Sequence, residues 1–195
     1  AAGFNSVGIQ SAGGAGMVLA EWMDTGNAPI DLWDVDIRRM QPFQANRHYL
    51  KTRVSETLGL LYADHFPYRQ VETARDVRMS PIHDRLKGRG ACFGEVIGWE
   101  RANWFLPDSA RAEGKTAAYE YSWKRQNWFD YSADEHRAVR QDVGMFDLSS
   151  FGKIRVVGRD AEAVLQRLCG NDVAVPDGKI VYTQFLNAQG RIEAD

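Results

Sequence analysis

The first sixteen residues contain a dense run of glycines that could bring the backbone close to a ligand. The run AAGFNSVGIQSAGGAG includes Gly8, Gly13, Gly14 and Gly16 and leads directly into the apolar stretch 17–23. Glycine permits positive φ and close approach of the backbone, and free N–H groups at the start of a helix attract negative charge. The run predicts either the end of a cofactor site, with a helix beginning near Gly16, or a turn of small residues packed against a neighbouring element.

Two common nucleotide sites are excluded by the spacing of these glycines. The dinucleotide fingerprint G-x-G-x-x-G fails because Leu19 stands where the third glycine would be and no apolar strand precedes the run. The mononucleotide loop fails because no Gly-Lys-Ser/Thr ending follows. The run can therefore complete a cofactor site that other residues must begin.

Composition and charge narrow the remaining classes of function. A net charge of −2 with scattered Lys and Arg argues against a nucleic-acid partner. No apolar run approaches the length of a membrane span, so no membrane insertion is predicted. Cys92 and Cys169 stand apart, without C-x-x-C or a histidine at metal spacing, which predicts reduced, buried thiols and no metal site. The four histidines are widely separated and are interpreted as surface or capping residues.

The elements that must position these residues form an α+β chain with a helical first half and a mixed second half. A short helix is predicted over 17–23. Leu50, Val54, Leu58 and Leu61 predict a helix over 46–62 with one apolar face. Ser80 followed by Pro81 predicts an N-cap and a compact helix over 81–87. Strand and loop are predicted over 91–105, where the aromatic run 99–105 is interpreted as a core or interface seam rather than a platform for a ligand.

The second half alternates loop, helix and strand. Residues 107–118 are small and polar and predict an exposed loop. Ser132 and Glu135 form the pattern of a capping box before a helix over 133–142. The remaining predicted elements are a strand over 153–157, a helix over 160–169, a strand over 180–186, a turn over 187–190 and a third strand from 191.

Four motifs in order carry a resemblance to a known family. These are GFNSVGIQSAGGAG, DLWDVDIRRM, SPIHDRLKGRGACFGEVIGWERANWF and EHRAVRQDVGMFDLSSFGK. Together they resemble the flavin-dependent sarcosine and dimethylglycine dehydrogenases. The resemblance implies an internal segment of such an enzyme: the C-terminal end of the FAD oxidoreductase domain at 1–34, its central domain at 35–91, and the N-terminal part of an aminomethyltransferase-like folate-binding domain, similar to the T-protein of the glycine cleavage system, at 92–195.

The resemblance implies an FAD-facing role for the glycine run. In similar oxidases this stretch lies beside the pyrimidine end of the flavin, where a helix N-terminus of roughly half an elementary charge stabilises the reduced ring. The residues implied to bind the cofactor are Gly8, Gln10, Ser11, Ala12, Gly13 and Gly14. Related sarcosine oxidases carry a lysine at the position of Gln10 that holds the substrate carboxylate, and a neutral amide cannot form that ion pair. The alternative for Gln10 is an amide that bonds the loop backbone.

At the other end, VYTQFLNAQGRIEAD resembles the segment of aminomethyltransferases that helps to form the folate site. Tyr182 is implied to bind tetrahydrofolate. Asp195 is the implied catalytic carboxylate, which orients the folate and stabilises positive charge on its reactive nitrogen; without the resemblance, a strand-end aspartate in solvent would be preferred. Phe151 replaces a methionine that is common beside the pterin, and Arg191 replaces the second glycine of the usual turn.

The implied function is oxidative demethylation of an N-methyl amino acid, sarcosine or dimethylglycine, with transfer of the one-carbon unit to tetrahydrofolate. The expected partners are the small methylated amine and the remainder of the same polypeptide. The expected location is the cytoplasm, or the mitochondrial matrix in a eukaryote. The alternatives are a folate-binding, aminomethyltransferase-like module without flavin activity and a non-catalytic structural fragment. A strand followed by G-x-G-x-x-G in the polypeptide that precedes this segment would favour the oxidase over these two alternatives.

Overall fold

Helices occupy most of the first half of the chain, and short strands join them in the second half, in a computed structural model that describes all 195 residues. The helices are α1 (Gly8–Thr25), α2 (Arg47–Leu60), α3 (His83–Gly88), α4 (Asp108–Ala112), α5 (Phe129–Gln141) and α6 (Ala161–Leu168). The strands are β1 (Ala91–Val96), β2 (Trp99–Phe105), β3 (Phe185–Leu186) and β4 (Ile192–Ala194). The predicted α+β class is confirmed. The chain divides into two units, residues 1–150 and 151–195.

Helix α1 contains the glycine run instead of following it. The prediction of a helix that begins near Gly16 is wrong, because the residues from Gly8 onward are already helical. Ser11, Ala15, Val18 and Trp22 recur at spacings of four, three and four and form its less exposed face, on which Val18 is buried. The helix forms although it contains four glycines, each of which is about 1 kcal/mol less favourable in a helix than alanine. The helix ends at Thr25, after which Gly26, at φ 75°, donates its N–H to Trp22 O.

Helix α2 forms where the apolar spacing predicted it, but its apolar face stays open. Asn46 caps the helix, since its Oδ1 accepts from the backbone N–H of His48 at 2.8 Å and of Tyr49 at 3.3 Å. Tyr49 is buried. The predicted apolar face consists of Leu50, Val54, Leu58 and Leu61, whose exposures range from 43 to 53%. This stripe is therefore not part of the core of the chain as described.

Strands β1 and β2 form an antiparallel hairpin in which Ala91 lies opposite Phe105 and Val96 opposite Trp99. The two turn residues, Ile97 and Gly98, both have positive φ (50° and 78°), as hairpins with two-residue loops of the primed type require. The hydrophobic core lies on this hairpin and consists of Cys92, Trp104, Leu106 and Ala110, with Ala117, Tyr119, Trp128 and Tyr131 packed against it. The aromatic run is thus part of a core seam, as its composition predicted.

Three local predictions around the hairpin are wrong at their boundaries. Helix α3 begins at His83, and the buried Ser80 Oγ has no hydrogen-bond partner, so this hydroxyl is not an N-cap. Residues 108–112 form α4 within the predicted loop, because Ala110 is buried against the core. Helix α5 begins at Phe129. The predicted capping-box residue Glu135 instead accepts a hydrogen bond from Phe105 N at 2.7 Å, so a tertiary contact takes the place of the local cap.

The unit 151–195 contains α6 and the short ladder of β3 with β4. Helix α6 confirms the prediction for 160–169, and Gly190 donates its N–H to Asn187 O at 2.9 Å in the predicted turn. The predicted strand at 153–157 is wrong, and the one at 180–186 is reduced to two residues, because a strand needs a partner for its backbone groups. No residue of this unit is buried. Across the whole chain, no helix has the length and apolarity that a membrane crossing requires.

Candidate functional site

The residues expected to face a flavin lie on two different faces of α1. Gln10, Gly13 and Gly14 are exposed and, at spacings of three and four residues, share one face. A Cβ added at Gly13, Gly14 or Gly16 would meet no heavy atom within 4 Å. Gly8 and Ser11 are half-buried, and Ala12 is exposed. The chain thus presents an open helix face of small residues, where a planar group or another part of a protein can come close to the backbone.

The N-terminus of α1 is free of competing groups. No side chain caps the helix at Val7, and no acidic residue stands in the first turn. The first N–H groups of a helix have no intrahelical acceptor, and the helix dipole makes this end positive. The preceding residues Asn5 and Ser6 have positive φ, 39° and 68°, in the turn that leads into the helix. This end can accept a group that carries or develops negative charge.

Tyr182 lies at a polar cavity in the unit 151–195. The cavity has a volume of about 470 Å³, and its other lining residues are Asn171, Asp172, Val175, Lys179, Ile180 and Val181. Asn171 Nδ2 donates to Tyr182 O at 3.1 Å and fixes the backbone there. The pKa of Asp172 is lowered, mainly by a hydrogen bond from Gln166 and one from the backbone N–H of Ala174, with a smaller contribution from the positive charge of Lys179.

Asp195 follows β4 and is exposed. It is not among the residues that line the cavity at Tyr182, so the structure does not bring these two predicted folate residues to one cavity. Phe151, the expected pterin wall, is 51% exposed. All three side chains are therefore accessible from solvent in this chain.

A network of buried ion pairs, which the sequence did not reveal, joins α2 and the segment 69–76 to the hairpin. Arg53 pairs with Glu95 at 2.8 Å, Arg69 pairs with Glu56 at 3.1 Å, and Arg75 pairs with Glu100, whose side chain is 1% exposed. Arg75 also donates to Phe93 O at 3.1 Å. The partners are 13 to 42 residues apart in sequence, so no local spacing signals them. Each of these carboxylates is already paired with an arginine. The network therefore serves to hold α2, the segment 69–76 and the hairpin together.

A second cavity lies beside the hairpin core, within residues 1–150. Its volume is about 230 Å³, and it is lined by Tyr68, Gln70, Asn103, Trp104, Tyr119, Trp128 and Ser132. Asn103 and Trp104 belong to the aromatic run 99–105 that the sequence singled out. The other aromatic walls come from segments before and after that run, and only the tertiary structure brings them together. No three His, Cys, Asp or Glu side chains anywhere in the chain are grouped in a way that could hold a metal ion.

Two protein-family models match the chain in succession. The model described as the FAD dependent oxidoreductase central domain matches residues 25–80, and the GCVT N-terminal domain matches residues 82–195. Together these matches cover nearly all of the chain from the last residue of α1 onward. The second match alone covers more than half of the chain.

Similar proteins of known name align along the full chain. It is 50% identical to a 4-methylaminobutanoate oxidase (formaldehyde-forming) of Paenarthrobacter nicotinovorans, over 100% of this chain and 23% of that protein. It is 37% identical to the mitochondrial pyruvate dehydrogenase phosphatase regulatory subunit of Mus musculus, over 100% of this chain and 22% of that protein. It is 33% identical to the mitochondrial sarcosine dehydrogenase of Mus musculus, over 99% and 23%. The chain thus spans about a quarter of the length of these relatives.

Proposed function

Since the chain belongs to the family of the FAD-dependent sarcosine and dimethylglycine dehydrogenases, we propose that it is part of an enzyme that oxidatively demethylates an N-methyl amino acid and passes the one-carbon unit to tetrahydrofolate. The observation that carries this proposal is the tandem of an FAD oxidoreductase central domain and a GCVT N-terminal domain in one chain. The relative that is half identical in sequence is named as an oxidase of a methylamino acid, which supports the same substrate class.

In this proposal three domains contribute to the chain. Residues 1–34 end the FAD oxidoreductase domain, 35–91 form the central domain, and 92–195 begin the folate-binding domain. The matched ranges 25–80 and 82–195 each overlap the corresponding proposed domain over most of its length. A shared polypeptide keeps the oxidation and the one-carbon transfer close together, so that a reactive product is captured before it escapes.

The N-terminal part of α1 is the proposed flavin contact. The chemistry that FAD supplies is two-electron oxidation of the amine C–N bond to an iminium. With FAD bound, the free N–H groups at the start of the helix would stabilise negative charge that develops on the cofactor. Gly13 and Gly14 allow close approach, and Gln10 shares their exposed face. Gly8, Ser11 and Ala12 complete the proposed contact from the first turns of the same helix. An uncapped helix start and an open glycine face fit this group.

Tyr182 and Asp195 are the proposed folate residues. The accessible Tyr182 ring can contact a flat heterocycle. The exposed carboxylate of Asp195 can accept a hydrogen bond from the reactive amine nitrogen of tetrahydrofolate and stabilise positive charge that develops there. Because these side chains do not share a cavity within this chain, residues outside the chain must complete the site in this proposal.

The test separates the two half-reactions in the complete protein. In Asp195→Ala, we expect anaerobic reduction of the flavin by sarcosine or dimethylglycine to stay within about twofold of the parent, since this carboxylate does not touch the amine. Formation of 5,10-methylenetetrahydrofolate should fall at least tenfold, as expected for loss of a positioned acid or base, while free formaldehyde rises. The matched control is Glu193→Ala, which removes an exposed carboxylate of β4, two residues before Asp195. Equal loss of both activities would refute the role of Asp195, and a protein without flavin absorbance would refute the oxidase.

A second candidate function is supported by one of the relatives. The mouse protein that is 37% identical over the whole chain is named as a regulatory subunit and not as an oxidoreductase. A member of this family without amine oxidation, acting as a folate-binding or structural module, is therefore the alternative. A complete protein that binds tetrahydrofolate but neither holds FAD nor oxidises methylated amines would favour it.

For the cellular location of the complete protein we propose the mitochondrial matrix in a eukaryote, as the names of the mouse relatives suggest, and the cytoplasm in a bacterium.

A further inference from the structure

Helix α2 turns its polar side chains inward and its apolar side chains outward. Tyr49 is 9% exposed, and the side chains of Arg53 and Glu56 are 12% and 8% exposed. At roughly 100° per residue, the apolar stripe lies about 130° further around the helix axis. This stripe is 43 to 53% exposed and consists of Leu50, Val54, Leu58 and Leu61. A helix normally buries its apolar side, so the inverted arrangement indicates that a further partner covers the stripe.

The contacts of the inner side fix the orientation of α2. Arg53 pairs with Glu95 of β1 at 2.8 Å, and its Nη2 donates to Thr73 O at 2.7 Å. Tyr49 meets the ring of Phe43 edge to face, with centroids 5.3 Å apart. Rotating α2 to bury the stripe would break these contacts and leave buried charges without partners. The stripe therefore stays on the outer side and can be covered only by a partner that approaches from there.

The stripe is too small to hold two separate molecules together. From Leu50 to Leu61 it is about 16 Å long, given a rise of roughly 1.5 Å per residue, and a helix is about 10 Å wide. The patch therefore offers about 160 Å², whereas a stable dimer buries about 800 Å² on each partner. A domain of the same polypeptide can dock through a smaller area, because the covalent connection keeps its effective concentration high. The size of the stripe thus favours an intramolecular partner over a second copy of the chain.

The position of α2 in the chain indicates which domain this partner is. Helix α2 lies within the match to the FAD oxidoreductase central domain, residues 25–80. Its inner side contacts β1, which lies within the match to the GCVT N-terminal domain, residues 82–195. In the proposed function, the polypeptide before this segment forms the FAD oxidoreductase domain, and the relatives are about four times as long as this chain. The inner side of α2 is thus taken by the folate-binding domain, which leaves the FAD oxidoreductase domain for the apolar side.

We infer that the apolar stripe of α2 is the docking surface for the FAD oxidoreductase domain of the same polypeptide. Polar pairs hold α2 on the hairpin of the folate-binding domain, and apolar contacts hold the FAD oxidoreductase domain on the other side of the helix. The helix thereby keeps the two domains at a fixed separation. The inference rests on the proposed function for the identity of the docked domain, and it adds the surface through which that domain is held.

Photo-crosslinking in the complete protein identifies the docked domain. The photoreactive residue p-benzoylphenylalanine replaces Leu58 in one variant and Leu50 in another, and mass spectrometry identifies the peptides joined to it after irradiation. We expect peptides from the polypeptide that precedes this segment. Cross-links only to this segment or to polypeptide that follows it, or a product of twice the mass, would overturn the inference in favour of the folate-binding domain or a second copy. Absence of cross-links at both positions would overturn it outright.

Two cysteine variants test the burial of the stripe without a bulky probe. Leu58→Cys lies on the stripe, and Ser55→Cys is the matched control, since Ser55 is exposed on the same helix and off the stripe. In the complete protein, alkylation should be at least about tenfold slower at Leu58→Cys than at Ser55→Cys, once each rate is divided by its value in urea. Equal rates would show an open stripe and overturn the inference. Flavin absorbance and flavin reduction by sarcosine on the same preparations test the proposed demethylation separately, because neither alkylation nor cross-linking requires the cofactor.

Discussion

Glu56 shows how one buried carboxylate organises a loop. It accepts hydrogen bonds from the backbone N–H groups of Glu72 and Thr73, both at 2.8 Å, from the Thr73 hydroxyl, and from Arg69 Nη1 at 3.1 Å. Its side chain is 8% exposed. Burial alone would raise its pKa, but these donors outweigh burial and lower the pKa from 4.5 to about 2. Glu56 thereby fixes the segment 69–73, which follows Tyr68, a lining residue of the cavity beside the hairpin core.

We expect Glu56→Gln to lower the free energy of unfolding at neutral pH by about 1 to 3 kcal/mol, because hydrogen bonds to a charged acceptor are replaced by weaker ones. The carboxylate has a lower pKa in the folded chain than in the unfolded chain. Its contribution is therefore complete above about pH 4.5 and is lost as the pH falls toward 2. Urea unfolding of the parent and the variant between pH 7 and pH 2.5 measures this, and the difference between them should shrink at low pH.

Glu72 provides the matched control for Glu56. It pairs with the same Arg69 at 3.1 Å, but its side chain is 71% exposed. Exposed ion pairs contribute little, so Glu72→Gln should change the free energy of unfolding by at most about 0.5 kcal/mol. Equal effects of the two substitutions would mean that the shared ion pair, and not the buried hydrogen bonds of Glu56, stabilises the loop.

At the scale of elements, the hairpin depends on the turn at its entry. Gly90 precedes β1 at φ 86°, and its carbonyl accepts from Leu106 N at 2.8 Å, just beyond β2. A Cβ at Gly90 would lie 2.3 Å from Leu106 O, which is backbone and cannot rotate away. The position therefore excludes side chains both by conformation and by contact with the opposite end of the hairpin.

Gly90→Ala should lower the free energy of unfolding by about 2 to 5 kcal/mol. This loss is the sum of the cost of a left-handed backbone conformation for alanine and the cost of the clash with Leu106 O. Gly114 is the control, because its φ of 84° is nearly the same while a Cβ there would meet nothing within 4 Å. Gly114→Ala should cost only about 1 to 2 kcal/mol for the conformation alone. Thermal or urea unfolding measures both, and indistinguishable losses would show that the chain near Leu106 moves to accommodate the methyl group.

The elements that the sequence predicted well are those specified by nearby residues. The apolar spacing located α2, and the small turn at 187–190 located the ladder of β3 with β4. The errors arose where distant contacts decide. Glu135 bonds to Phe105 across the fold rather than to its own helix end, and residues 153–157 have no strand to pair with. The cavity beside the hairpin core could not be predicted for the same reason, since its walls come from residues up to 64 positions apart, from Tyr68 to Ser132.

For the whole molecule, the two units differ in how much they bury. Every buried residue lies between Val18 and Gln126, within the unit 1–150. In the unit 151–195, large apolar side chains are open to solvent, including Ile154 at 88% and Ile180 at 93%. Such exposure leaves little hydrophobic stabilisation to offset the entropy of ordering the chain. The relatives are about four times as long as this chain, so we expect further polypeptide to cover these side chains in the complete protein.

Hydrogen exchange should reveal this difference. In the 195-residue chain, amides of α6, β3 and β4 should exchange at least about tenfold faster than those of the β1–β2 hairpin, after correction for intrinsic rates, because local opening requires less energy where few apolar contacts break. In the complete protein the same amides should become at least tenfold more protected, while the hairpin amides, which already lie on a core, change little. Mass spectrometry of matched peptides from both forms measures this. Slow exchange of 151–195 in the short chain would mean that its small ladder and helix are stable with their apolar side chains in water.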